Sequence, residues 1–329
     1  MISADLDEIA LVESTQAGIM AVAGALGLPA GAAVLTSDCE FLATVVPWRS
    51  LASAGVTTVG VPHRGGAVDL RDLQAVIGRS TRVVSISACQ EVSGACVDLA
   101  ALAEICRARG LVSVIDGAQF VGPRTIDVKQ TPIDVLSVGG HKWLLSPFGL
   151  GFLYVRRELL VEIEPALCGY MALDPSDGDL LSEVVNGGAS TSIRMRRTKN
   201  ARKFENGGTG AYLAASALAA SLQELQQIGL QAIESRVADL CEQLYTELSS
   251  QGCTMATPER AEERAGIVTF STGSVERDRA LHQELTGRGV GTSLRYRDGV
   301  GGIRVAPYFY SDESDVEALM HVVAQGRSV

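Results

Sequence analysis

The feature that most constrains this chain is a rhythm. A short apolar run is followed by a longer stretch with helical spacing, and the pair repeats from the first residues to about position 155. Strand-like runs fall at Ile9–Val12, Ala33–Leu35, Val56–Val61, Val83–Ser87, Leu111–Ile115, Val135–Ser137 and Gly151–Val155. Helices are expected from about Gln16 to Leu26 and at Phe41–Ala54, Asp69–Ile77 and Leu99–Arg109, the last ended by Gly110 as a C-cap. Repeated β-then-α order predicts an α/β fold, a mainly parallel sheet covered by helices on both faces. Ligands in such sheets sit beyond the carboxyl ends of the strands, so polar residues at those ends are the ones to read for chemistry.

Residues 172–210 are polar and Gly-rich, with a basic stretch at Arg194–Lys203, and read as a long loop region. Helices are expected next at Ala211–Gln227 and from about Gln231 to Ser249. The pieces Ile267–Phe270, Asp278–Arg288, Gly289–Ser293, Ile303–Pro307 and Asp312–Val323 then suggest a smaller α+β domain. The expected division is a large domain over residues 1–230 and a small one over 231–329.

Composition narrows the function classes. The net charge of −10 argues against nucleic acid as a partner, since phosphate binding needs basic patches. No apolar run reaches the roughly 20 residues of a membrane span. The opening MISADLDEIALVES lacks a charged-then-apolar leader pattern, so a cytoplasmic protein is expected. Seven cysteines at irregular spacings, without C-x-x-C, fit reduced and mostly buried thiols. With only four histidines, no metal site is expected.

Chemistry concentrates in LVSVIDGAQFVGPRTIDVKQTPIDVLSVGGHKWLLSPFGLGFLYV, from Leu111 to Val155. Asp116 ends one apolar strand and Gln119 follows it; Gly139-Gly140-His141-Lys142 ends the next. Pyridoxal 5'-phosphate (PLP) needs a lysine amine for its aldehyde and a carboxylate beside its ring nitrogen. Lys142 would be that amine and the general base, Asp116 that carboxylate. Gln119 could bond the ring oxygen, and His141 could orient the lysine or shuttle a proton. Taken singly, Asp116 is also a turn-former and the Gly-Gly-His-Lys loop a solvated turn; the ordered combination is what points to PLP. Ser14 and Thr15, between the first strand and its helix, suit either a phosphate or an ordinary N-cap.

At these residues the chain resembles the class V aminotransferases, fold-type I PLP enzymes that include cysteine desulfurases, selenocysteine lyases and isopenicillin N epimerase-like proteins. KFENGGTGAYLAASAL and IRVAPYFYSDESDVEAL are similar to two further segments of that family. The resemblance covers about Asp7 to Val323 and implies a seven-stranded-type, mainly parallel sheet. It implies that Lys142 is the Schiff-base lysine, Asp116 the ring-nitrogen partner and Gln119 the ring-oxygen partner. Thr15 and His141 match cofactor-pocket positions. Phe41 falls where an aromatic or histidine ring stacks on PLP, with a core aromatic as the other reading. Arg304 matches the arginine that grips the substrate's α-carboxylate. Thr209 matches a phosphate contact supplied across a dimer interface, which implies a homodimer.

Four departures accompany the match. Glu91 stands near a position where the family often has an asparagine touching the cofactor, and Gly139 where it often has a serine. The stretch GTSLRYRDGVGG, before the Arg304 strand, has no cysteine where desulfurases carry their nucleophile. The chain also begins close to the first strand of the family's large domain, without the usual preceding segment.

The expected activity is chemistry at Cα or Cβ of an amino acid. Transamination or C–S β-elimination ranks ahead of epimerisation and of persulfide-forming cysteine desulfuration. The alternative from another class is a non-catalytic PLP-fold protein, a partner subunit or sensor. A nicotinamide enzyme is set aside because VESTQAG lacks the G-x-G-x-x-G turn.

Overall fold

The computed structural model describes residues 1–174, 197–205 and 210–326. Its main sheet has the order β1-β9-β8-β7-β6-β2-β3. The strands are β1 (Ile9–Val12), β2 (Ala33–Ser37), β3 (Thr57–Val61), β6 (Thr81–Ser87), β7 (Val112–Asp116), β8 (Val135–Gly139) and β9 (Gly151–Val155), with a small hairpin β4 (His63–Arg64) and β5 (Ala67–Val68) between β3 and β6. Only β9 runs against the others, pairing antiparallel with both β1 and β8. The expected mainly parallel, seven-stranded α/β sheet is therefore present.

Strand sequence explains the layering. Strands β2, β7, β8 and β9 are buried or nearly so along their whole length, which is why they read as continuous apolar runs. Successive residues point to opposite faces. Val34, Val83, Val114 and Val135 enter one core, with Ile19, Val22 and Trp48 of α1 (Thr15–Ala25) and α2 (Leu42–Arg49). Their neighbours Leu35, Val84, Ile115 and Leu136 enter the other, with Leu102 and Cys106 of α4 (Leu99–Arg109). The edge strand β3, TTVGV, is half-exposed and correspondingly poorer in large apolar residues.

Beyond two long helices, Tyr212–Ile228 and Leu230–Ser250, lies an antiparallel sheet in the order β10-β11-β13-β12. Its strands are β10 (Thr254–Met255), β11 (Val268–Ser271), β12 (Ser293–Arg297) and β13 (Val300–Val305), and helices Val275–Gly287 and Glu313–Gly326 accompany them. Ile267, Phe270 and Ile303 of this part share a core with Trp143 and Leu136 of the main sheet.

Two expectations need correction. The helix expected over Phe41–Ala54 is α-helical only at Leu42–Arg49 and tightens to a 3-10 turn at Ser50–Ala54. Pro47, inside it, offers no N–H to the helical ladder. The strand expected at Gly289–Ser293 lies instead at Ser293–Arg297. Its register is set by a two-residue turn at Asp298-Gly299, both at positive φ (46° and 78°), as a type I′ hairpin requires. Among the described residues no helix is long and apolar enough to cross a membrane.

Candidate active site

The parallel strands end at one edge of the main sheet, and the loops leaving that edge enclose a cavity of about 360 Å³. Phe41, Glu91, Asp116, Gln119, Lys142 and Arg304, far apart in sequence, all line it. That volume lies within the usual range for small-molecule sites. A larger cavity, about 720 Å³, opens at the other edge beside Leu111 and Asp134, before β7 and β8 begin. There Asp5 and Asp134 are already paired with Lys129 and Arg156. The smaller cavity is the candidate site, because it sits at the strand carboxyl ends and gathers the reactive groups.

Asp116 is the last residue of β7, held in register between Ser87 of β6 and Ser137 of β8. It is buried, its Oδ1 accepts from the Ala118 amide (2.9 Å) and its Oδ2 from the Thr44 hydroxyl (3.0 Å). Burial pushes its carboxyl above the usual range, while the Ala118 N–H, the Lys142 ammonium and Thr44 pull it back. The balance favours a cation placed against the free side of the carboxylate.

Lys142 sits in the turn between β8 and β9, a loop closed by Gly140 N–H to Leu150 carbonyl (2.9 Å) and Ser146 N–H to Gly140 carbonyl (3.0 Å). Its side chain opens onto the cavity within a surround of protein. Burial lowers its pKa, Asp116 opposes that, and Arg304 adds to it. A lowered ammonium releases the neutral amine more readily, as a nucleophile or base requires.

Gln119 is oriented by its neighbour: its Oε1 accepts from Trp143 Nε1 at 2.9 Å, which turns its amide donor away from that bond. Phe41 is 45% exposed at the cavity wall, so it is not a core aromatic. His141 is adjacent to Lys142 but stacks on Phe148 (4.8 Å between ring centroids), and its pKa is lowered by burial and by Lys142.

Ser14 and Thr15 are not brought to the cavity wall. Ser14 Oγ accepts from Ala17 N–H at 3.1 Å as the N-cap of α1, and Thr15, the first helical residue, is buried. The glycine at 139 has a steric reason: a Cβ there would lie 3.1 Å from His141 Cε1 and 3.2 Å from Thr15 Oγ1. Thr209 lies outside the described residues. Glu91 turns its carboxylate to the hairpin, 3.1 Å from Arg304 Nη1 and 3.3 Å from Arg297 Nη2.

Sequence reasoning missed several groups here. Ser87, Cys89, Arg295 and Arg297 line the cavity too, and Thr44 holds Asp116. Buried Glu40 accepts from the Ser87 amide (2.9 Å), the Ser87 hydroxyl (2.5 Å) and Gln90 Nε2 (2.7 Å). The alternation Ser87-Cys89-Glu91 was a readable signal, since a strand continued at period two presents alternate residues to one side. The DG turn was the signal for Arg295 and Arg297.

Comparison with known proteins places this geometry. Residues 1–319 match the family described as aminotransferase class-V. A probable cysteine desulfurase of Halalkalibacterium halodurans is 28% identical over 95% of this chain and 76% of its own length. Isopenicillin N epimerase of Streptomyces clavuligerus is 27% identical over 97% of this chain and 80% of its own. The same fold is seen in an apo cysteine desulfurase from Thermococcus onnurineus NA1, with a TM-score of 0.86 at 22% identity over 100% of this chain and 81% of that one. It is also seen in the cystine C-S lyase C-DES, solved with its product cysteine persulfide (TM-score 0.86, 23% identity, 97% and 82% covered). Fold, strand-end site and family match agree, and the chain belongs to the class V aminotransferase family.

Proposed function

We propose that this protein is a PLP-dependent enzyme that acts on an amino acid by C–S β-elimination or transamination. The observation that carries the reading is the pairing of Asp116 and Lys142. A buried carboxylate and an amine with a lowered pKa, at neighbouring strand ends, face one cavity that Arg304 also lines. Its support from relatives is the C–S chemistry named for the H. halodurans desulfurase and for C-DES.

The residues fit the cofactor. Asp116, short of a cation on its free side, would hold a proton on the ring nitrogen. Gln119, with its carbonyl engaged by Trp143, has an amide donor for the ring oxygen. Phe41 would cover a ring face. Bound there, PLP supplies an electron sink for the bond broken at the amino acid's α-carbon. Lys142 would hold the cofactor through Nζ and, once released by the incoming amine, carry the proton to or from that carbon. Arg304 would fix the α-carboxylate and so decide which bond stands where Lys142 can reach it.

Persulfide formation on the enzyme is the weaker reading. Cys89, which lines the cavity, is 1% exposed, and its thiol is pushed well above the usual range by contact with Cys96 and by burial. Products decide between the reactions. Elimination from cystine or cysteine gives pyruvate, ammonia and a free sulfur product; transamination passes the amine to an added oxo acid. Alanine released with a persulfide trapped on a cysteine of this chain would contradict both.

A further inference from the structure

We infer that the substrate carries a second anionic group on its side chain, a carboxylate, sulfinate or phosphate, received by Arg295 and Arg297. This deepens the proposed function and rests on it. The hairpin register supplies the argument. Arg295 and Arg297 stand two residues apart on β12, and Arg304 of β13 pairs with Ser293, two residues before Arg295. Directly paired residues and those at i+2 share a face, so three guanidiniums lie on one face of the hairpin, and all three line the cavity.

One carboxylate serves all three. Glu91 Oε2 is 3.1 Å from Arg304 Nη1 and 3.7 Å from Arg295 Nε, its Oε1 is 3.3 Å from Arg297 Nη2, and its main-chain carbonyl also accepts from Arg304 Nη1 (2.9 Å). Asp116, the other carboxylate lining the cavity, is engaged by the Ala118 amide and the Thr44 hydroxyl. Among the described residues, the buried Nε atoms of Arg297 and Arg304 meet no acceptor. Buried charged N–H groups are ordinarily satisfied, so this wall is short of anionic acceptors by more than one. A substrate α-carboxylate at Arg304 fills one place. A neutral side chain leaves Arg295 and Arg297 sharing the one Glu91 carboxylate, whereas a second anion within the same small cavity gives them a partner of their own.

The test uses the PLP-loaded protein and matched pairs: L-aspartate with L-asparagine, L-cysteine sulfinate with L-cysteine, O-phospho-L-serine with L-serine. The readout is the concentration giving the half-maximal change in the Lys142-dependent visible band. In at least one pair the anionic member is expected to bind about ten-fold tighter or better. Arg297→Ala should compress that ratio to about two-fold, and Arg297→Lys should restore part of it. Glu91→Gln, which removes the competing carboxylate, should widen it. A second readout needs no reaction: calorimetric titration with succinate, expected to bind more tightly than butyrate. Equal or reversed affinities in every pair overturn the inference and leave the PLP reading intact. So does a preference that Arg297→Ala leaves unaltered, which would make the hairpin arginines a structural clip on Glu91. A missing Lys142-dependent band overturns the PLP reading; the inference is then judged on calorimetry alone, where equal binding of succinate and butyrate sinks it.

Discussion

The two walls of the cavity are built on opposite electrostatic plans. At the strand-end wall, Asp116 is buried with its own donors, and the Lys142 ammonium offsets part of what burial costs its charge. At the hairpin wall, among the described residues, three guanidiniums share one glutamate and two buried N–H groups have no acceptor. The first wall is preorganised for one fixed guest with a cationic ring. The second is left unsatisfied, as a surface is when its anion arrives with each substrate and departs with each product. Chemistry and selectivity are thereby assigned to different walls.

The comparison breaks most visibly at the strand-end wall. Lys142→Ala should lower turnover by on the order of 10³-fold or more, because it removes the group proposed to hold the cofactor and to move the proton. Asp116→Asn keeps a carbonyl acceptor for one of the two donors, Ala118 and Thr44, and removes the charge. Turnover should fall by roughly 10²-fold, with a change in the visible band of the loaded protein. At the hairpin wall, Arg304→Ala should act chiefly on KM, raising it by about 10-fold to 10²-fold for any amino acid, since it removes a grip on the α-carboxylate common to all of them.

A further prediction sharpens the strand-end plan by pH. Burial raises the Glu40 carboxyl to about 7 from its ordinary value of 4.5, against the pull of its bonds from Ser87 and Gln90. A raised carboxyl means that the folded state holds its proton more tightly than the unfolded chain does. The stability it contributes is fully present below about pH 4.5 and is lost as pH rises to about 7, an effect of ~3 kcal/mol. Asp116 shifts in the same direction. The apo protein should therefore lose thermal stability between about pH 5 and 7, and Glu40→Gln should flatten that slope in a melting series. The smallest effect is at α1: Ser14→Ala should cost about 1 kcal/mol of stability by removing the cap on Ala17, with the cavity wall unaltered.

The two walls also differ in how far the sequence disclosed them. Asp116, Gln119 and Lys142 lie at the ends of consecutive strands, so a local pattern and the strand-end rule bring them together without knowledge of the packing. Arg304 was legible only by resemblance. Arg295 and Arg297 were hidden because their facing depends on register, and displacing the strand to Gly289–Ser293 puts both in a loop; the Asp298-Gly299 turn was the missing key. Glu40 was passed over because a polar residue after a strand reads as solvated, and only the fold over it by Ser87 and Gln90 makes it buried. Of the two readings of Ser14, the helix cap is visible directly, in the bond its hydroxyl accepts from Ala17.

The central claim, that Lys142 and Asp116 form a PLP site, is tested most directly by the visible absorption spectrum of the purified protein supplied with PLP, recorded beside Lys142→Ala. A band present in the wild type, absent from the variant and altered by addition of an amino acid is the predicted result. A wild-type spectrum indistinguishable from that of Lys142→Ala would contradict the account and leave a class V fold that does not hold the cofactor through this lysine.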